Sequence, residues 1–261
     1  MDNLLSPAQV KARELEILEY VDTFCKKHGL TYFLTYGSLL GAVRHKGFIP
    51  WDDDIDISML RPDYERFKSL IAQEESLRFR AMLPEQKDYP YHFIKIVDSM
   101  TSLMEEDLDY SDDMGVWIDV FPLDGCSKSG CSLPERLASF CQKCRALASY
   151  KVLPADKHGN RMVWHLCRMV GYNAFKKLTD RFSRRISVDA SPLVAHIPTA
   201  CQTRFPRSLF DKVTEVEFEG HRFPAPMDYD RYLTIRYGDY MKLPPENERV
   251  NHRVRAKLKE L

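Results

Sequence analysis

The stretch WDDDIDISM, from Trp51 to Met59, holds four aspartates, at positions 52, 53, 54 and 56, and it constrains the chain more than any other segment. Two carboxylates held ~5 Å apart at an effective dielectric of about 20 repel by about 3 kcal/mol. From Asp54 onward the carboxylates alternate with Ile55 and Ile57. Side chains along a β-strand point alternately to opposite faces, so Asp54 and Asp56 share one face and the isoleucines the other. The isoleucines suit a core. The aspartates then need a cation, and two carboxylates on one strand face can grip the same divalent ion. This assigns Asp54 and Asp56 to a metal and leaves Asp52 and Asp53 as flanking, exposed residues.

Two blander readings compete. A calcium loop starting at Asp52 would need glycine at its sixth position and glutamate at its twelfth. Those positions are Ile57 and Asp63, so that reading fails twice. Charge placed at a strand edge to block aggregation explains Asp52 and Asp53 but not the alternation with isoleucine. A third carboxylate, Asp119, sits inside the apolar run VWIDVF. Buried unpaired it would be costly. Setting its strand beside that of Asp54 and Asp56 explains it and builds an oxygen-rich cluster suited to Mg²⁺ or Mn²⁺.

Upstream, Gly37-Ser38 precedes a short predicted helix, Ser38 to Lys46, closed by Gly47. Glycine permits close backbone approach, and Ser38 is placed to cap the helix or touch a phosphate. The free N–H groups of a helix N-terminus favour anions. Arg44, His45 and Lys46 add positive charge, and Arg44 offers a bidentate fork for phosphate.

The remaining pattern alternates helices and strands without a regular repeat. Ser6-Pro7 opens a helix running through Lys27, with Gly29 beyond its end. Leu30 to Tyr36 and Trp51 to Leu60 read as strands, and Arg61-Pro62 starts a helix through about Ala72. Strand-like segments fill Leu77 to Glu105, and Gly115 to Phe121 is an apolar strand that Pro122 and the Gly125-to-Gly130 stretch break. Residues 133 to 187 read as mostly helical, interrupted near Pro154 to Asn160. Val213 to Phe223 reads as a hairpin turning near Gly220, and Tyr229 to Tyr237 as a helix ending at Gly238. This order is α+β. It divides into a core over 1–125, a mostly helical insertion over 126–200, and a hairpin and helix over 201–261 that return to the core.

Equal counts of 38 basic and 38 acidic residues give no argument for a nucleic-acid partner. The N-terminus is too charged for a signal peptide and no apolar run reaches ~20 residues, so a cytoplasmic location is expected. Seven scattered cysteines fit a reducing compartment better than a disulfide framework. Cys126, Cys131, Cys141 and Cys144 could hold a structural zinc, but buried free thiols on a helix face are the plainer reading.

Taken together, the Gly-Ser turn, the D-x-D strand and the single later carboxylate resemble the nucleotidyltransferase fold. GSLLGAVRHKGFIPWDDDIDISM followed by DYERF resembles the LicD family more closely; that family includes phosphocholine transferases and is related to the fukutin group. The likeness extends to FIKIVDSMTSLMEE, GVWIDVFPLDG and YLTIRYGDYMKLPPENERVNH. It implies a nucleotidyltransferase-like mixed sheet flanked by helices, with a helical insertion. It implies metal-binding roles for Asp54, Asp56 and Asp119 and a phosphate-facing turn at Gly37 and Ser38. Lys95 and Asp98 fall in the family's K-I-x-D segment, and His252 matches its terminal histidine. Lys95 and His252 could equally be structural.

The activity this resemblance implies is transfer of a phospho-substituent from CDP-choline or a related nucleotide donor, releasing CMP. The acceptor is a hydroxyl of a glycan or lipid-linked oligosaccharide, as in teichoic acid or lipopolysaccharide modification. The substituent could be phosphocholine, phosphoethanolamine or a polyol phosphate. Asp119 could also orient or deprotonate the acceptor hydroxyl. Choline's quaternary ammonium calls for aromatic faces. Trp51 and Trp117 lie nearest the carboxylates in sequence, with core packing as their plainer role. Rival readings are a D-x-D glycosyltransferase using a nucleotide sugar, and a non-catalytic glycan- or metal-binding protein. Finally, residues 161 to 186 carry seven basic residues against Asp180 alone, with apolar residues at steps of three or four. That pattern fits either peripheral contact with the inner membrane face or a core-packed helix with a solvated basic face.

Overall fold

Ser6 caps the first helix, α1 (Pro7–His28): its hydroxyl accepts from the Gln9 N–H, while the Gln9 side chain accepts from the Ser6 N–H. Gly29, at φ +60°, ends it. The computed structural model of the chain describes residues 4–103, 114–153, 161–199, 201–249 and 256–259. His252 and the expected helix break at 154–160 lie outside them. The strand expected over Leu30 to Tyr36 is only β1 (Phe33–Leu34), because helix α2 (Tyr36–His45) starts two residues earlier than its sequence pattern indicates. The acidic stretch is likewise mostly loop, and strand β2 is confined to Asp56–Leu60, leading into α3 (Arg61–Ile71).

Strands β3 (Phe79–Met82), β4 (Ile94–Asp98), β5 (Thr101–Leu103) and β6 (Trp117–Gly125) follow. The main sheet runs β1-β2-β6-β4-β3, and β7 (Leu193–Ala195) and β8 (Phe205–Pro206) extend it from the far end of β6. The β2–β6 pair is parallel and the other pairs antiparallel, so the sheet is mixed. Strand β6 continues through Pro122, where the sequence predicted a break. The Asp119 N–H donates to Ile55 O on the β2 side, so the Pro122 nitrogen faces the β4 side. There β4 has already ended at the Ile94–Val120 pair, and no ladder bond is lost.

Ile55, Ile57, Ile94, Ile96, Ile118 and Val120 are all fully buried in one core, covered by α1 and α3. Helices α4 (Leu133–Ala148), α5 (Arg161–Val170) and α6 (Tyr172–Ser183) pack together as a block beside this sheet. The hairpin of β9 (Val213–Phe218) and β10 (His221–Pro226) turns through Glu219 and Gly220, both at positive φ. It packs on β1 and α2, and α7 (Tyr229–Tyr237) packs on α2. A short strand, β11 (Ala256–Leu258), pairs with β5. The class is α+β, as expected.

Cys141 and Cys144 are buried free thiols on α4, as read from the sequence, but a disulfide stands where none was expected. Cys131 and Cys201, 70 residues apart, form a disulfide with a Cα–Cα distance of 5.2 Å. Cys126, Cys141 and Cys144 are free and buried. With Cys131 committed to Cys201, the four-cysteine zinc set cannot form.

Candidate functional site

The parallel register sets Asp56 directly beside Asp119, and Lys95 on β4 flanks Asp119 from the other side. Ile57 and Ile118, the next residues on these strands, face the core. The alternation holds on the strands themselves, with Asp56 and Asp119 opposite the buried isoleucines, but Asp54, expected on the same strand face, lies in the loop before β2. Asp52 and Asp54, from the loop before β2, reach the same cleft. Asp52 and Asp53 are half-buried rather than exposed, because this loop folds back against α1 and α2 instead of continuing as an open strand.

Electrostatically the cluster is strained. Burial pushes the Asp56 carboxyl well above its ordinary range, and Asp54, Asp119 and Asp52 push it further, with Lys95 opposing. Behind the loop, burial also raises Glu14 of α1, followed by the charges of Asp54 and Asp53. Glu14 Oε2 and Asp53 Oδ1 are buried without a hydrogen-bond partner among the described residues. Crowded carboxylates and orphaned acceptors fit a hard divalent cation, and the donor set is all oxygen. Among the described residues no three acidic, histidine or cysteine side chains converge as a ready cage. The Lys95 ammonium donates to Asp119 Oδ1 at 2.5 Å. Asp54, Asp56 and Asp119 would hold the ion, with the Lys95–Asp119 pair adjusting to admit it.

Gly37 and Ser38 do not form a turn ahead of the helix; they lie within its first turn. A Cβ at Gly37 would meet Asp52 Oδ2 at 2.5 Å, so a larger residue here would push the Asp52 carboxylate aside. The Ser38 hydroxyl accepts from the Asp56 N–H at 2.7 Å and is buried. It therefore positions Asp56 rather than capping the helix. Tyr36 begins α2 at φ +47°, an uncommon conformation for a bulky residue, and its N–H donates to the Tyr232 hydroxyl. Arg44 does not line the cleft; it donates to Tyr240 O and to the His45 ring. Lys95 is buried, with its ammonium 4.0 Å from the Trp117 ring centroid and near Tyr91 and Phe93.

The cleft has a volume of about 380 Å³. The lining also includes Arg236 and Tyr237 from the last turn of α7, together with Tyr36, Phe121, Phe205 and His196. Arg236 lies over the Tyr36 and Tyr237 rings. Burial, with Asp56, Asp52 and Asp54, pushes the Tyr237 hydroxyl up to about 12 against the lowering effect of Arg236. His196 stacks parallel to His92, Nε2 to Nε2 at 2.9 Å. Burial, followed by Arg61, pushes His196 down to about 3, so this ring is neutral at neutral pH.

Residues 29–134, which supply the acidic loop, β2, β4 and β6, match the family model described as LicD/FKTN/FKRP, nucleotidyltransferase domain. Over these residues the chain matches a LicD-family domain. Beyond that domain the likeness continues: the chain is 29% identical over 253 residues to the lipopolysaccharide cholinephosphotransferase LicD of Haemophilus influenzae, covering 92% of this chain and 93% of that protein. It is 39% identical over 59 residues to the human ribitol 5-phosphate transferase FKRP, covering 23% of this chain and 12% of that protein. A third relative is the uncharacterized protein RT0683 of Rickettsia typhi, 34% identical over 85 residues, or 29% of this chain and 28% of that one.

Several residues of the cleft fall outside the matched LicD segment. Arg236, Tyr237, His196 and Phe205 come from the C-terminal half of the chain, and sequence spacing does not connect them to Asp56. The available signal was the exposed Arg-Tyr pair closing a helix just before Gly238, within a segment that already resembled the family.

Proposed function

We propose that the protein is a divalent-cation-dependent transferase. In this reading it moves phosphocholine, or a related phospho-substituent, from CDP-choline or a similar nucleotide donor to a hydroxyl of a glycan or lipid-linked oligosaccharide, and releases CMP. The observation that carries it is the mixed chemistry of one cleft, whose lining combines Asp52, Asp54 and Asp56 with Arg236 and several aromatic rings. A zwitterionic phosphocholine diester needs both a cation-compatible aromatic surface and cationic support for phosphate. The near full-length similarity to a cholinephosphotransferase supports the same choice.

When bound by Asp54, Asp56 and Asp119, Mg²⁺ or Mn²⁺ supplies charge neutralisation of the diphosphate and of departing CMP. The residues of the chain do the rest. Phe121 and Phe205 add aromatic surface for the quaternary ammonium, while Arg236, held over Tyr36 and Tyr237, offers its guanidinium to the phosphate oxygens. The N-terminus of α2, whose Tyr36 and Gly37 line the cleft, favours the same anion through its helix dipole. The acceptor oxygen forms the new bond to phosphorus as the bond to CMP breaks, and the hydroxyl proton passes to a carboxylate of the cluster. Lys95 keeps Asp119 oriented.

A donor screen with Mg²⁺ or Mn²⁺, read by nucleotide release, tests this. CMP from CDP-choline is expected. Release of a nucleoside diphosphate from a nucleotide sugar would instead establish a glycosyltransferase, and no turnover with any donor would leave a binding protein.

A further inference from the structure

Helix α5 shows its apolar face to the outside. Met162, Val163, Leu166, Met169 and Val170 are 75%, 42%, 55%, 83% and 56% exposed, whereas Cys167 is the buried residue. Cys167 packs with Cys144 and Ala148 of α4. At 100° per residue the five exposed side chains fall within an arc of about 120° whose centre lies about 100° from Cys167, Val163 being nearest to that contact. A core-packed helix with a solvated basic face would show the reverse arrangement. An apolar ridge of this extent marks a surface that meets something.

Charge identifies what it meets. Arg161 on α5, and Lys177 and Arg181 on α6, are exposed, while Arg168 of α5 donates to the Tyr150 and Lys151 carbonyls. Helix α5 carries no acidic residue, and Asp180 of α6 is engaged by Arg61 and Arg184. The surface is thus apolar and basic together, the composition of a helix lying in an anionic lipid interface. A second copy of the chain fits less well, because a two-fold contact would bring the same arginines of both copies together. We infer that α5 docks the protein on an anionic lipid bilayer, with Met162, Leu166 and Met169 entering the interfacial zone and the flanking Arg and Lys residues facing acidic headgroups. This inference stands apart from the catalytic reading.

The test is flotation of the purified full-length chain with phosphatidylcholine vesicles, with and without phosphatidylglycerol, at low and high salt. Binding to the anionic vesicles is expected, weakened by salt. The double variant Leu166→Glu/Met169→Glu is expected to lower the partition at least about tenfold. Leu77→Glu, at a fully exposed site in a loop outside the helical block, should not change it. All three side chains are exposed, so unchanged thermal unfolding should confirm that each variant is folded. Failure of the wild type to float with anionic vesicles at low salt overturns the inference. So does undiminished binding by the double variant, or a concentration-dependent dimer that this variant abolishes.

Discussion

Asp119 and Asp124 occupy the same strand, β6, yet their surroundings are opposite. At Asp124 the Arg61 guanidinium closes a bidentate pair, Nε to Oδ1 at 2.7 Å and Nη2 to Oδ2 at 2.6 Å. Burial pushes the Asp124 carboxyl up, and these two bonds oppose it. Glu65 and Asp180 then balance the remaining bonds of Arg61. At the other end Asp119 lies beside Asp56, Asp54 and Asp52 add like charge, and Lys95 is the sheet's own cation. One end of the strand neutralises its carboxylate within the fold. Among the described residues the other end gathers more carboxylates than cations, beside an open cleft. A buried charge matched internally is a structural feature; a surplus facing a cleft is a feature of a site awaiting a ligand.

Substitutions at the two ends should separate these roles. The largest effect is expected from Asp56→Asn, which should lower CMP release from CDP-choline on the order of 10³-fold while the protein stays folded. Thermal unfolding of that variant should match or exceed the wild type, since a repelled carboxylate has been removed. Asp124→Asn should do the opposite: destabilise by about 3 kcal/mol in urea titration, with the activity of the folded fraction kept. If both variants lose stability equally and activity equally, the contrast between the two ends is void. Lys95→Gln should fall between them, costing about 10- to 100-fold in turnover through loss of its hold on Asp119.

The smallest effect is a pH dependence. The folded-state pKa of Asp56 lies above its ordinary 3.8. Between that value and the raised one, the folded protein holds a proton that the unfolded chain has released. Stability should therefore be highest at the acid side of this window, fall as pH rises through it, and then level off. Asp56→Asn should lack the fall, and Mg²⁺ should offset it in the wild type. Melting temperatures between mildly acid and neutral pH, with and without Mg²⁺, will show which.

The parts of this arrangement that a sequence can express locally were legible in it. The period-two switch at Ile55-Asp56-Ile57 and the single carboxylate in VWIDVF foretold two strands with buried apolar faces, and the sheet pairs them residue for residue. Ser6, Gly29, Gly220 and Gly238 marked element ends for the steric reasons that fix caps and turns. What depended on tertiary folding was not legible. The Ser38 hydroxyl meets the Asp56 N–H only because α2 leans on β2. Arg236 and Tyr237 reach the aspartates because Tyr232 anchors α7 to the start of α2. Cys131 finds Cys201 across 70 residues of sequence, which no spacing rule anticipates. Arg44 read as a phosphate ligand from its charge, but packing turned it to Tyr240.

Binding of a divalent cation by the carboxylates at the Asp56 end of β2 and β6 is our proposal. Electron paramagnetic resonance of free Mn²⁺, titrated with the wild type, Asp56→Asn and Asp124→Asn, tests it without relying on turnover. The account predicts that the wild type and Asp124→Asn deplete the free Mn²⁺ signal alike, while Asp56→Asn leaves it nearly intact. Equal depletion by the wild type and Asp56→Asn, or none by the wild type, would contradict it.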